Sequence, residues 1–187
     1  VLPHGAGIGG GSSDAATVLK RLADQGLPTS EDFQLSLGAD VPVCMTGRAS
    51  RMQGIGDQVT PVELPKLPAL LVNPGAHVPT GAVFSALARR DNAPMPSIVP
   101  GFSSPADCAV WLAEQRNDLQ VPAAKLAPQI DQVLSELNET GNLLLARMSG
   151  SGATCFALYP TLKAAHVAAY EIGAAHPDWW CVATELS

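Results

Sequence analysis

The sequence predicts an α+β protein in two domains, the second of them a ferredoxin-like α/β sandwich. Three observations lead there. The second half reads strand, helices, strand, strand, helix, strand, which is the order of a split βαβ unit. The first half opens on a glycine-rich loop that runs directly into a helical pattern. Between them Glu63-Leu64-Pro65-Lys66-Leu67-Pro68 makes a linker, so the domains are expected at 1–64 and 65–187.

The elements follow in order. Gly5 to Ser13 carries five glycines in its first seven positions and must be a loop. Ser12 or Ser13 is placed to cap the helix that follows, with Ala15, Val18, Leu19, Leu22 and Ala23 on one face. Gly26 and Pro28 stop it. Ser30 to Leu37 forms a short second helix ended by Gly38. Ala39 to Pro42 is a turn. Residues 43–49 and 58–62 are strands flanking the Gly54-Ile55-Gly56-Asp57 turn.

Beyond the linker, 69–72 is a short apolar strand. Thr80 can cap a helix reaching Arg90, with Val83, Phe84 and Leu87 inward. Residues 91–104 hold Pro94, Pro96, Pro100 and Gly101 and form a loop. Helices are expected at 105–115 and 123–137, the latter started, kinked or broken by Pro128. Strands at 143–147 and 153–159 enclose a second Gly/Ser loop, Met148 to Gly152. A helix over 162–175 and a strand over 180–186 finish the chain.

Composition limits the function. The chain has 187 residues, 47% of them hydrophobic and 15% charged, so it can bury a core. A net charge of −6 argues against duplex nucleic acid and anionic membrane surfaces as partners, since both ask for a basic footprint. Small anions remain open, because backbone amides bind them without net positive charge. Cysteines 44, 108, 155 and 181 form no CxxC motif or disulfide framework, which reads as a reducing cytoplasm. No apolar run approaches a membrane span, and no basic, then apolar, then small-residue leader pattern is expected. His4, His77, His166 and His176 show no ligand spacing, and no metal site is expected. Trp179 and Trp180 read as packing, and the acidic residues at 131, 136 and 139 as a solvated helix face.

The glycine-rich loop is the strongest chemical signal. Glycines let the backbone approach a ligand closely, and a helix start adds free N–H groups and a favourable dipole. Together they describe a phosphate cradle; the plain alternative is a flexible turn. No lysine follows the glycines before Lys20, so this is no Walker A loop. Gly5-x-Gly7-x-x-Gly10 matches a dinucleotide pattern. Asp24, Glu31 and Asp32, however, lie on helices rather than at the strand end a Rossmann unit needs.

Pro3-His4-Gly5-Ala6-Gly7-Ile8-Gly9-Gly10-Gly11-Ser12-Ser13-Asp14-Ala15-Ala16 resembles the phosphate-binding motif of the GHMP kinase superfamily. Leu37-Gly38-Ala39-Asp40-Val41-Pro42 and Met148-Ser149-Gly150-Ser151-Gly152-Ala153-Thr154 resemble two further motifs of that superfamily, in its order. The triple glycine and Gly-Ala-Asp-Val-Pro resemble most closely the branch acting on 4-diphosphocytidyl-2-C-methyl-D-erythritol in non-mevalonate isoprenoid synthesis. The resemblance implies a GHMP fold and a small-molecule partner whose 2-hydroxyl is phosphorylated with ATP and Mg²⁺, in a monomer or homodimer. It implies that Pro3, His4, Gly5, Ala6, Gly7, Ile8, Gly9, Gly10, Gly11, Ser12 and Ser13 wrap the ATP phosphates. Asp40 would take the proton of the attacking hydroxyl; without the resemblance it reads as a turn or cap residue. Ser149, Gly150, Ser151 and Gly152 either bring a second set of amides to the ligand or simply connect two strands. Thr80 stands where such kinases often carry a threonine, and reads first as an N-cap.

The resemblance also implies a catalytic lysine and most of the substrate pocket upstream of Val1, so this chain alone is expected to be inactive. The 13–40 stretch is one to two helical turns shorter than expected. A sister kinase for homoserine or phosphomevalonate is the near alternative. A non-catalytic nucleotide-binding module and a dinucleotide-dependent oxidoreductase are the distant ones.

Overall fold

The computed structural model describes residues 7–187. Two compact units emerge: Gly9–Glu63, and Leu64–Ser187 together with Gly7 and Ile8.

The first unit packs three helices, α1 (Gly10–Asp24), α2 (Glu31–Leu37) and α3 (Val41–Thr46), beside an antiparallel hairpin of β1 (Ser50–Gln53) and β2 (Gln58–Pro61). Helix α1 starts earlier than expected. Its N-cap is Gly9, in the left-handed region at φ 69°, and no side chain caps it. Ser12 and Ser13 therefore sit inside the first turn and are not caps. Ala16 and Leu19 are the buried residues of α1, whereas Val18 is exposed. The apolar stripe is narrower than the sequence pattern implied. Ser30 caps α2 by accepting from the Phe33 N–H at 3.3 Å.

The strand expected over 43–49 is instead largely helix α3. Asp40 takes the N-cap position, Pro42 lies in the first turn, and Gly47 at φ 61° ends the helix. Proline in the first helical turn sacrifices no hydrogen bond, and a left-handed glycine terminates a helix at no steric cost. These local signals override the β-branched residues between them. The hairpin is consequently shorter than expected. Asp57 Oδ1 closes its turn by accepting from the Ile55 N–H at 2.9 Å.

The second unit is an antiparallel sheet of β3 (Leu67–Asn73), β4 (Leu145–Met148), β5 (Cys155–Leu158) and β6 (Trp180–Leu186), in the order β4-β5-β3-β6. That is the ferredoxin-like order. Between β3 and β4 run α4 (Thr80–Ser85), α5 (Pro105–Ala113), α6 (Gln120–Leu126) and α7 (Gln129–Asn138); α8 (Leu162–Ala175) joins β5 to β6. Helix α4 ends at Ser85 rather than Arg90, and Thr80 is its first residue, with Pro79 as the N-cap. Pro128 splits the expected 123–137 helix into α6 and α7 and becomes the N-cap of α7.

Strand alternation divides the core. Leu70 and Val72 of β3, Cys155 and Ala157 of β5, and Met148 of β4 join Ile130, Val133 and Leu137 of α7 and Ala165, Ala168 and Ile172 of α8. The opposite face sets Leu67, Ala69 and Leu158 against Cys108 and Ala109 of α5. Tyr159 is fully buried. Its hydroxyl lies 2.8 Å from Thr140 Oγ1, which itself donates to the Leu137 carbonyl, so the tyrosine is the donor. His176 stacks on Trp179 and pairs with Glu136 at 3.2 Å. Among the described residues no helix is long and apolar enough to cross a membrane.

Candidate functional site

Pro3, His4, Gly5 and Ala6 lie outside the described residues. The rest of the glycine-rich run falls into two settings, and each is built by its own unit.

In the first unit, Gly9, Gly10 and Gly11 form the start of α1. A Cβ added to any of them would meet nothing within 4 Å. The N–H groups of a first helical turn have no partner within the helix, and an anion is favoured there. The Ser13 N–H closes the first helical bond onto the Gly9 carbonyl at 2.9 Å. Facing this turn is the Gly38–Asp40 segment: a Cβ on Gly38 would lie 3.9 Å from Ser12 Oγ. The hairpin supports that segment from another side. Gly56, at φ 98°, touches the Ala39 carbonyl so closely that any side chain there would overlap it. Asp40 follows, exposed, at the N-cap of α3, and its carboxylate does not cap the helix. Its carbonyl accepts from the Cys44 N–H at 3.1 Å, while its carboxylate has no hydrogen bond or ion pair with the described residues. Its charge reaches Cys44, whose thiol is pushed up first by burial and then by Asp40, with Lys20 opposing. Lys20 Nζ donates to the Cys44 carbonyl at 3.1 Å.

In the second unit, Gly7 is pressed against the Ser149–Gly152 loop. Gly7 adopts φ 69°, and a Cβ there would stand 2.5 Å from the Gly152 carbonyl oxygen and 2.9 Å from that of Ser149. Only glycine fits. Ser149 Oγ donates to the Gly7 carbonyl at 2.8 Å. Gly150 and Gly152 also have positive φ, 51° and 88°. The loop is held on every side. The Ser149 N–H donates to the Thr154 carbonyl and the Gly152 N–H to that of Ser149. Ser151 and Thr80 share a hydrogen bond of 2.9 Å between hydroxyls, so Thr80 ties the loop rather than capping α4. Asn73, buried at the end of β3, donates to Thr154 Oγ1 at 2.9 Å and accepts from the Gly75 N–H. Asn117 donates to the carbonyls of Met148 and Gly150, and Gln120 Oε1 accepts from the Met148 N–H.

The structure thus joins Ser149 to Gly7 by a hydrogen bond and sets Ser12 near Gly38, two residues before Asp40. Asn73, Asn117 and Gln120 carried no sequence signal of comparable strength. Asn73 is a polar residue closing an apolar strand before Pro74-Gly75, and that is the nearest thing to one. Among the described residues, no group of three or more His, Cys, Asp or Glu side chains is arranged to hold a metal.

Residues 102–178 match the family model described as GHMP kinases C terminal. The 4-diphosphocytidyl-2-C-methyl-D-erythritol kinase of Dinoroseobacter shibae is 56% identical over 186 residues, covering 99% of this chain and 65% of the relative. The enzyme of the same name from Bradyrhizobium diazoefficiens is 43% identical, covering all of this chain and 68% of the relative. A crystal structure of 4-(cytidine 5'-diphospho)-2C-methyl-D-erythritol kinase superposes with a TM-score of 0.75 at 33% identity, over all of this chain and 68% of that one. The chain spans about two thirds of the length of the curated relatives it matches.

Proposed function

Because the chain belongs to the GHMP kinases, and among them to the 4-diphosphocytidyl-2-C-methyl-D-erythritol kinase family, we propose that the protein transfers the γ-phosphoryl group of ATP to the 2-hydroxyl of that alcohol. It would do so in the cytoplasm, as a step of isoprenoid precursor synthesis. In this reading the run from Pro3 to Ser13 wraps the phosphates. The left-handed Gly9 turns the chain into α1, whose N-terminus no side chain caps. Asp40 accepts the hydroxyl proton while the substrate oxygen forms its bond to the γ-phosphorus and the bond to the β-phosphate oxygen breaks, releasing ADP. Phosphoryl transfer asks mainly for positioning and charge stabilisation, which an uncommitted carboxylate on a braced turn can supply.

Mg²⁺ would arrive with ATP, held by phosphate oxygens rather than by a protein cluster, and it neutralises phosphate charge. Asp40 carries the proposal: its carboxylate caps nothing, and Gly56 packs tightly against the Ala39 carbonyl just before it. The test is ADP release by the full-length protein with 4-diphosphocytidyl-2-C-methyl-D-erythritol, homoserine or phosphomevalonate as acceptor. Turnover with the first supports the proposal. Turnover with only one of the others moves the substrate to a sister kinase, and none with any of them overturns the kinase reading.

A further inference from the structure

We propose that Asn117 is a positioning residue for the nucleotide: it fixes the Ser149 hydroxyl that in turn fixes Gly7. The inference rests on the phosphate-binding role proposed for the glycine-rich run.

Asn117 lies in the short connection between α5 and α6, far from either glycine loop in sequence. Every polar group of its amide is committed. The two N–H bonds go to the Met148 carbonyl at 3.0 Å and the Gly150 carbonyl at 2.9 Å, and Oδ1 accepts from the Leu119 N–H at 3.0 Å. The two carbonyls bracket Ser149. One side chain therefore clamps the backbone on both sides of the residue whose hydroxyl meets Gly7 at 2.8 Å. Gly7 has no freedom to compensate, since it stands in the left-handed region with the Ser149 and Gly152 carbonyls where a side chain would be. A rotation of the loop that moves Ser149 must move Gly7 as well. Only an amide can do this job. An aspartate has the same shape and could still accept from Leu119, but it offers two acceptors to two carbonyls.

The experiment uses full-length protein and measures ATP affinity by calorimetric titration, with melting temperature alongside. The variants are Asn117→Asp, Ser149→Ala and the double variant. Tyr159→Phe serves as a control that weakens the fold away from the loop. Asn117→Asp is expected to weaken ATP binding roughly tenfold, the loss typical of one charged-group mismatch. The double variant should be little worse than the weaker-binding single one, because both act through the same link. Asn117→Gln, which keeps the donors, should recover part of the affinity. Unchanged ATP affinity in Asn117→Asp beside a lowered melting temperature, as in the control, would reduce Asn117 to a structural role. Additive losses in the double variant would likewise break the proposed path through Ser149. Wild-type protein that binds no ATP would overturn the phosphate-binding reading itself, and this proposal with it.

Discussion

Gly7→Ala puts a single methyl group into the tightest backbone contact among the described residues of the glycine-rich run. Two costs add. An L-residue held at φ 69° loses about 1–2 kcal/mol relative to glycine. The methyl would also stand 2.5 Å from the Gly152 carbonyl oxygen, which is backbone and cannot swing aside. The contact must open, and with it goes the Ser149–Gly7 hydrogen bond, about 1 kcal/mol. The sum, about 2–3 kcal/mol, falls on the segment that enters the proposed phosphate loop. If that segment must be in place before ATP binds, affinity drops about 30- to 150-fold. The assay is ATP titration of the full-length protein. Gly26→Ala is the control: Gly26 has φ 78° and open space around it, so it loses the conformational term without a clash and away from the loop. Gly7→Ala that folds and binds ATP within about twofold of wild type would refute the reasoning.

Three other outcomes follow from the same geometry. Gly11→Ala, in open space within the first turn of α1, should leave stability unchanged or raise it by up to about 1 kcal/mol, yet weaken ATP binding; melting and titration separate the two effects. Tyr159→Phe should cost about 1 kcal/mol in denaturant unfolding, since Thr140 keeps its bond to the Leu137 carbonyl. The Cys155 thiol is pushed up to about 12, first by burial and then by the charge of Asp131, from an ordinary value of 9.0. Between those values the unfolded chain loses the proton and the folded one keeps it, so stability falls as pH rises through that window. The unfolding free energy measured against pH should fall less steeply in Cys155→Ala.

Much of this fold could be read from the chain because strong local signals agreed with the tertiary packing. Helix α8 and strand β6 have the expected bounds, each isolated by Pro160-Thr161 or Pro177-Asp178. The sheet order followed from the sequence of elements, since a split βαβ unit has few ways to bury both faces. Residues 43–46 were misread because their β-branched and apolar character was weighed above Pro42 and Gly47, which act as helix start and stop. Ser12 and Ser13 were misplaced as caps because glycine at the N-cap needs no side chain. The loop supports were hidden for a different reason. Asn117 and Ser149 are 32 residues apart, and only the folded backbone brings one amide to two carbonyls. The environment of Asp40 is equally invisible in sequence: Gly56 braces its turn from a hairpin that looked like ordinary turn chemistry.

Asp40 is the residue on which the proposed chemistry turns. The most direct test is steady-state phosphorylation of 4-diphosphocytidyl-2-C-methyl-D-erythritol by full-length wild type and Asp40→Asn. The account predicts a kcat lower by a factor of about 10² to 10⁴, the range for losing a positioned proton acceptor, with KM for ATP little changed. Melting should be unaltered, because the carboxylate caps nothing. An Asp40→Asn enzyme with wild-type kcat would contradict it.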